Sequence, residues 1–161
     1  DLMSMFSHHP NWLKVPNLGD VAFINLMIKR QRVGGSQSAN IFACHGVSSA
    51  SHYWTKIKGL SDVTNWVQGY DIYLMGHTHA KGVIMDNVFL PDRFGYPVER
   101  KLVMGHTGSF LTLYNRGQRS YGERRLYRPT STGVIKITIE PYRQTTSNGR
   151  KHEGLNIHAS E

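Results

Sequence analysis

Short apolar runs that end in glycine recur along the chain and predict a strand-rich fold. Residues 72–75 form one such run, and Gly76 after it permits a sharp exit from a strand. Residues 41–44 form a similar run, followed by a histidine and Gly46. Because the two strands end alike, we expect chemistry at their carboxyl ends, where α/β folds place their ligands.

A helix is predicted between these two strands. Five residues there have the spacing of one helix face: Leu60, Val63, Trp66, Val67 and Tyr70. Ser61 is the expected N-cap and Gly69 the expected C-cap. We assign the tryptophans to core and helix packing rather than to a stacking surface. A helix that connects two parallel strands brings both carboxyl ends to the same edge of a sheet.

The segment before the first of these strands is rich in β-formers. It covers residues 18–33 and is separated from the run at 41–44 by two consecutive glycines. We interpret the pair as a β-hairpin. A helix over residues 23–32 is the alternative, because some apolar residues there also have helical spacing.

Further strands are predicted in the second half of the chain. Residues 82–85 and 101–104 flank a turn-rich loop, and we expect them to belong to a second sheet. Residues 133–139 alternate between apolar and polar side chains and are the expected last strand. We therefore expect one domain over residues 1–143, followed by a polar, disordered tail over residues 144–161.

Composition narrows the class of protein. The chain has 161 residues and 39% hydrophobic content, which suits one globular domain. No stretch approaches the ~18 apolar residues of a membrane-spanning helix, so we expect no membrane partner. Cys44 is the single cysteine, which excludes an internal disulfide and fits a reducing, cytoplasmic compartment. Strand alternation places its side chain opposite to that of His45, as a small buried residue.

Three histidines follow the two central strands. His77 and His79 stand two positions apart after Gly76, and residues at that spacing in an extended segment face the same way. His45 ends the neighbouring strand. Neutral imidazole is a ligand for Zn, Mn and Fe, so these three residues are the candidate metal ligands. The alternative is a loop with solvated histidines.

These motifs resemble the calcineurin-like metallophosphoesterase superfamily. A strand ending in His-Gly at His45, followed by a strand ending in Gly-His-Thr-His at residues 76–79, is similar to the last two motifs of that family. Residues 107–109, Thr-Gly-Ser, resemble the small-residue turn that comes next. Residues 120–139 resemble the closing segment of a prokaryotic and phage-type branch. The resemblance covers residues 18–141.

The resemblance implies a two-sheet α/β sandwich that hydrolyses phosphate esters with two divalent ions. It assigns His45 and His77 to one metal and His79 to the other, with Mn, Fe or Zn as the ions. Three upstream motifs of the family are missing from this sequence: Asp-x-His, Gly-Asp and Gly-Asn-His-Asp/Glu. Asp20 follows a glycine but stands too close to His45, so we interpret it as a turn or strand-entry residue. The chain thus resembles the carboxyl-terminal half of the domain, with its catalytic residue unidentified and little expected activity alone.

The charge of the chain is positive and unevenly distributed. The formal net charge is +8, and residues 116–151 contain nine basic residues against Glu123 and Glu140, a net +7. Interleaved tyrosines make this segment a candidate for binding nucleic acid, with stacking on bases. The alternatives are a surface that steers any anionic substrate and a set of solvated arginines. A nucleic-acid-binding or structural module with vestigial metal ligands is therefore the second functional hypothesis.

Overall fold

The structure is a computed structural model that describes residues 19–29, 36–46, 52–91, 94–114, 117, 119–145, 149 and 151–161. Its elements in chain order are β1 (Val21–Lys29), β2 (Ser36–Cys44), α1 (Tyr53–Val63), β3 (Ile72–Met75), β4 (Lys81–Pro91), β5 (Pro97–Ser109), α2 (Tyr121–Arg124), β6 (Gly133–Val134), β7 (Lys136–Thr145) and β8 (Lys151–Ser160). Within these residues, no helix has the length and apolar character needed to cross a membrane.

Strands β2, β3 and β5 form the parallel centre of a sheet with the order β1-β2-β3-β5-β4, which we call the main sheet. β1 and β4 pair antiparallel at its two edges, and β6 pairs with the end of β5. α1 connects β2 with β3, so the predicted strand-helix-strand unit is confirmed. The carboxyl ends of the three parallel strands therefore lie at one edge of the main sheet.

α1 covers one face of the main sheet. Its buried residues Ile57, Leu60 and Val63 lie on one side of the helix. Leu60 and Val63 belong to a core cluster whose other members are Phe42, Val67, Tyr73, Met75, Leu102 and Met104. The hydroxyl of Tyr73 donates to the carbonyl of Val67 at 2.7 Å, so this buried ring keeps a partner for its polar atom.

β7 and β8 form a two-stranded antiparallel sheet against the other face. Ile157 of β8 packs with Ile72 and Val103 of the main sheet. Partly buried apolar residues of both sheets surround them: Ile41, Leu74, Val83, Ile137, Ile139, Leu155 and Ala159. The fold is thus mixed α/β and strand-rich with two sheets, which confirms the broad class expected from the sequence.

The hairpin predicted before the first histidine is confirmed. β1 and β2 pair antiparallel from Val21 with Cys44 to Lys29 with Ser36, so the alternative of a helix in the described part of residues 23–32 is wrong. Cys44 is partly buried against the helix-covered core, as alternation predicted. Burial raises the pKa of its thiol, which favours the unreactive protonated form.

The strands expected over residues 82–85 and 101–104 do not belong to a second sheet. They are parts of the longer strands β4 and β5, and β5 pairs in parallel with β3 in the main sheet. Burial on both faces explains this position, because Met104 faces the core under α1 while Val103 faces β8. A strand buried on both faces fits the centre of a sheet.

The predicted helix caps are wrong. α1 begins after His52 and ends before Thr64, so Ser61 lies in its last turn and Gly69 beyond its end. Trp54 and Trp66 are 77% and 71% exposed, contrary to the expectation of core packing. The helix begins earlier than expected because Ile57 extends its apolar face by one turn toward the amino end.

The expected disordered tail is also wrong for residues 151–160, which form β8. Leu155, Ile157 and Ala159 alternate along this strand and pack against the main sheet. The predicted last strand over residues 133–139 is divided between β6 and β7. The tail was expected to be disordered because its overall composition is polar, and composition does not show this alternation.

Candidate metal centre

His45 and His77 lie side by side at the carboxyl ends of β2 and β3. Cys44 and Met75 are register partners in this parallel pair, and the N–H of Gly76 donates to the carbonyl of Cys44 at 3.0 Å. The ring centroids of His45 and His77 are 4.7 Å apart. The structure therefore confirms the prediction that these two strand ends lie together. We call this edge of the main sheet, with residues 44–46, 75–79 and 106–107, the histidine edge.

His79 lies one step further along the same loop. Its ring centroid is 6.3 Å from that of His77. Both residues have left-handed backbone, with φ of 57° at His77 and 53° at His79. Such angles are costly for side chains with a Cβ and are concentrated at functional sites. The loop is thus not the simple extended segment assumed from the sequence, although its two histidines still lie at one edge.

The environment of His79 favours its neutral imidazole form. His45 and His77 are exposed, whereas His79 is half-buried. Burial lowers the pKa of His79, and the nearby His77 and Lys56 lower it further. Neutral imidazole is the form that binds metal ions, so His79 is ready to act as a ligand at neutral pH.

The spacing of two rings fits one ion. Two imidazoles with nitrogens at about 2.0–2.1 Å from a tetrahedral ion have ring centres roughly 5 Å apart. The separation of 4.7 Å between His45 and His77 agrees with this value, and the 6.3 Å between His77 and His79 exceeds it. Across the described residues, no three His, Cys, Asp or Glu side chains form a group able to hold a metal ion. These residues therefore present two adjacent histidines and a neighbouring third, and they do not form a complete metal site.

Asp20 contacts His45 through a hydrogen bond between their main chains. Its carbonyl accepts the N–H of His45 at 2.7 Å, at the turn where β1 begins. This contact confirms the interpretation of Asp20 as a strand-entry residue.

Thr78, between the two loop histidines, is buried and held by contacts from two elements. The ammonium of Lys56 on α1 donates to the carbonyl of Thr78 at 2.8 Å. The hydroxyl of Thr78 lies 3.0 Å from Nδ1 of His106, at the end of β5. The sequence repeats Met-Gly-His-Thr at residues 75–78 and 104–107, and Thr78 and His106 belong to the two copies. Nothing in the sequence singled out Lys56, a lysine within a helix.

The small-residue segment 107–109 completes the third strand end. It continues β5 as far as Ser109 rather than forming a turn, and Gly108 and Ser109 pair with β6. Thr107 contacts β3 through a long hydrogen bond of 3.5 Å from its hydroxyl to the carbonyl of Met75. Gly108 has a φ of 83°, and a Cβ there would lie 2.3 Å from the carbonyl oxygen of Gly133. Close approach of β6 therefore requires glycine at this position.

The described basic residues of segment 116–151 lie on different elements. Lys136 and Arg143 lie on β7, and Arg143 pairs with Glu153 at 3.0 Å. Arg116 and Arg150 are outside the described residues. Four exposed basic residues lie in or next to α2 along the chain: Arg119, Arg124, Arg125 and Arg128. We call these four residues the arginine cluster.

A short capping motif orders the start of the arginine cluster. The N–H of Glu123 donates to the hydroxyl of Ser120 at 3.1 Å, and the N–H of Ser120 donates to the carboxylate of Glu123 at 3.3 Å. This reciprocal pair is a capping box. The hydroxyl of Tyr114 reaches the carbonyl of Tyr127, so the two tyrosines lie beside the cluster.

Comparisons of the chain with protein-family models, with curated proteins and with solved structures give no match.

Proposed function

We propose that this chain is part of a metal-dependent phosphoesterase, to which it contributes His45, His77 and His79 as ligands of a centre of two divalent ions, Mn, Fe or Zn. The observation that supports this proposal best is the 4.7 Å approach of the His45 and His77 rings at adjacent parallel strand ends. The resemblance of the Gly-His-Thr-His and His-Gly motifs to metallophosphoesterases supplies the reaction class. The single Cys44 fits a cytoplasmic location.

The residues of the chain have distinct roles in this proposal. His45 and His77 bind one ion from two adjacent strand ends, and His79 presents its ring to the second ion. Divalent ions act as Lewis acids toward phosphate oxygens and lower the pKa of bound water. The ammonium of Lys56, close to His79, adds positive charge that favours an anionic phosphate ester at this edge.

The remaining ligands come, in this proposal, from protein outside these 161 residues. The sequence lacks the three upstream motifs of the family, the described residues hold no group of three His, Cys, Asp or Glu side chains able to bind a metal ion, and the histidine edge contains no Asp or Glu. The chain alone should therefore hydrolyse bis-p-nitrophenyl phosphate poorly with Mn²⁺. Substantial hydrolysis by the purified chain would contradict the view that it is the carboxyl-terminal half of the domain.

Metal binding by the chain tests the ligand assignment directly. We expect Co²⁺ to give a visible absorption spectrum on the wild-type chain, with affinity reduced about tenfold or more in His77→Ala because one of two imidazoles on the ion is lost. His158→Ala is the matched control, since His158 is an exposed histidine on β8. Equal Co²⁺ affinity in wild type, His77→Ala and His158→Ala would overturn the assignment.

A second candidate function is binding of nucleic acid by the arginine cluster. The observation that favours it is the exposure of Arg124, Arg125 and Arg128 beside exposed Tyr114 and Tyr127. Cations that contact phosphates and aromatic rings that stack on bases are the usual elements of such a surface. In this hypothesis the histidines are vestigial, so binding would not depend on metal.

A further inference from the structure

The loop that carries His77 and His79 has an unusual backbone for its sequence. Both residues have positive φ, a region that side chains with a Cβ seldom adopt. Such a conformation persists when the surrounding structure imposes it. The contacts that hold the residue between them, Thr78, therefore determine where the two rings lie.

Thr78 is held through both its side chain and its main chain. It is 3% exposed, and its hydroxyl lies 3.0 Å from Nδ1 of His106. The N–H of Ala80 donates to the same hydroxyl at 3.4 Å, which ties the loop to the start of β4. Lys56 donates to the carbonyl of Thr78 at 2.8 Å. The hydroxyl is thus the point where a side chain of β5 meets the histidine loop.

His106 is an unusual residue for its position. It is 2% exposed, on the face of β5 where Leu102 and Met104 pack in the core under α1. Its Nε2 atom is buried and lies toward the backbone of Ile57 on α1, an interaction that raises the pKa of the ring but falls short of full hydrogen-bond geometry. A buried polar atom with so weak a partner lowers stability, so an apolar residue here would serve the core better. A histidine at this position differs from an apolar residue in that its Nδ1 atom can contact the hydroxyl of Thr78.

We propose that His106 is a positioning residue that acts through Thr78 to hold the backbone of residues 77–79 in the conformation that presents His77 and His79 at the histidine edge. The proposal rests on the proposed function for the role of the two histidines. It goes beyond the proposed function because it assigns a role to His106, a residue that binds no metal. Loss of the contact allows the loop to relax toward ordinary backbone angles, which turns the two rings away from a common site.

Variants at both ends of the contact test this proposal. His106→Leu and Thr78→Val remove the hydrogen bond while keeping an apolar side chain in the core. His106→Asn and Thr78→Ser are the conservative variants, because Asn has a polar atom close to the place of Nδ1 and Ser keeps the hydroxyl. His158→Leu, at an exposed position of β8, is the control for loss of a histidine.

The first measurement needs no metal. Amide hydrogen exchange of residues 77–80 should be about tenfold faster or more in His106→Leu and Thr78→Val than in wild type, and close to wild type in His106→Asn and Thr78→Ser. The second measurement is Co²⁺ affinity, for which we expect losses of about 10-fold to 100-fold in the first pair and recovery in the second. The control should match wild type in both measurements.

The outcomes separate this proposal from the proposed function. Unchanged amide exchange at residues 77–80 in both His106→Leu and Thr78→Val overturns the positioning role of His106. Exchange as fast in His106→Asn as in His106→Leu overturns it as well. A wild-type chain that binds no Co²⁺ overturns the proposed function. The metal-free exchange measurement still tests the positioning role of His106 in that case. Faster exchange spread equally over the whole chain would show a structural role alone and would also overturn the proposal.

Discussion

Burial sets the charge state of His106. It lowers the pKa of the ring below the ordinary value of 6.5, and the ammonium of Lys56 lowers it further. The folded protein therefore keeps His106 neutral at a pH where the unfolded chain already binds a proton. Since the unfolded state then binds more protons, this residue leaves stability unaffected above pH 6.5 and reduces it as the pH falls below that value.

The pH dependence of stability tests this linkage. Between about pH 7.5 and about pH 5.5, His106→Asn should lose less free energy of unfolding than wild type, because Asn takes up no proton. Urea unfolding at the two pH values gives the comparison, with His158→Asn as the exposed control. Identical losses in wild type and His106→Asn would show that the ring has an ordinary pKa.

The residues of the candidate site were predictable to different degrees. His45 and His77 could be paired from the sequence because each follows a short apolar run and a parallel register brings such ends together. The left-handed backbone at His77 and His79 was not predictable, since it depends on contacts from α1 and β5. Lys56 was missed for the same reason, because its role arises from tertiary contact and not from a motif.

At the scale of elements, the carboxylate of Asp71 connects the three parallel strands at the edge opposite the histidines. One oxygen accepts the N–H of Asn40 on β2 at 2.9 Å. The other lies 3.0 Å from the guanidinium of Arg100 on β5. Asp71 is 7% exposed, and the loss of its carboxylate leaves the part-buried N–H of Asn40 without its side-chain acceptor.

Replacing Asp71 should therefore weaken the main sheet. We expect Asp71→Ala to lower the free energy of unfolding by about 1–3 kcal/mol, since the N–H of Asn40 loses its side-chain acceptor. Asp86→Ala is the matched control, because Asp86 is exposed and bonds to the adjacent Asn87. The control should change stability by less than about 0.5 kcal/mol. Equal losses in the two variants, measured by urea unfolding, would contradict the role of Asp71.

Elements with strong local signals were the predictable ones. β2, β3 and the connecting helix follow from compact apolar runs, and the β1–β2 hairpin follows from β-formers next to glycines. Sheet membership of β4 and β5 was wrong, because a strand's sequence does not show which neighbour it pairs with. β8 was missed because the polar composition of residues 144–161 outweighs its three alternating apolar residues, which pack with Ile72 and Val103 in the folded protein.

At the scale of the whole molecule, positive charge and the candidate metal ligands belong to different elements. The ligands follow β2 and β3, whereas the arginine cluster surrounds α2. A nucleic acid bound by the cluster would release counterions from its phosphates. Its affinity would therefore decrease with salt in proportion to the number of phosphate contacts.

Salt dependence tests this second candidate function. If the cluster binds single-stranded nucleic acid, the slope of log affinity against log salt should be about 0.7 per phosphate contact, and the double variant Arg124→Gln, Arg128→Gln should reduce it by about two contacts. Lys29→Gln with Lys58→Gln makes the same charge change at exposed positions on β1 and α1. Binding that is absent, insensitive to salt, or reduced equally by both double variants would exclude the cluster as the interface.

The arrangement of β3 also bears on how the chain folds. β1–β2, β4–β5 and β7–β8 are antiparallel pairs of strands close in sequence, whereas β3 has four residues and pairs with strands on either side, Ile72 with Ile41 and with Val103. Contacts between residues distant in sequence form slowly, because the entropy cost of closing the loop comes before the contacts stabilise the fold. We expect the hairpins to form early and the insertion of β3 between two of them to limit the folding rate. The edge that carries the histidines would then be assembled in the last, slowest step.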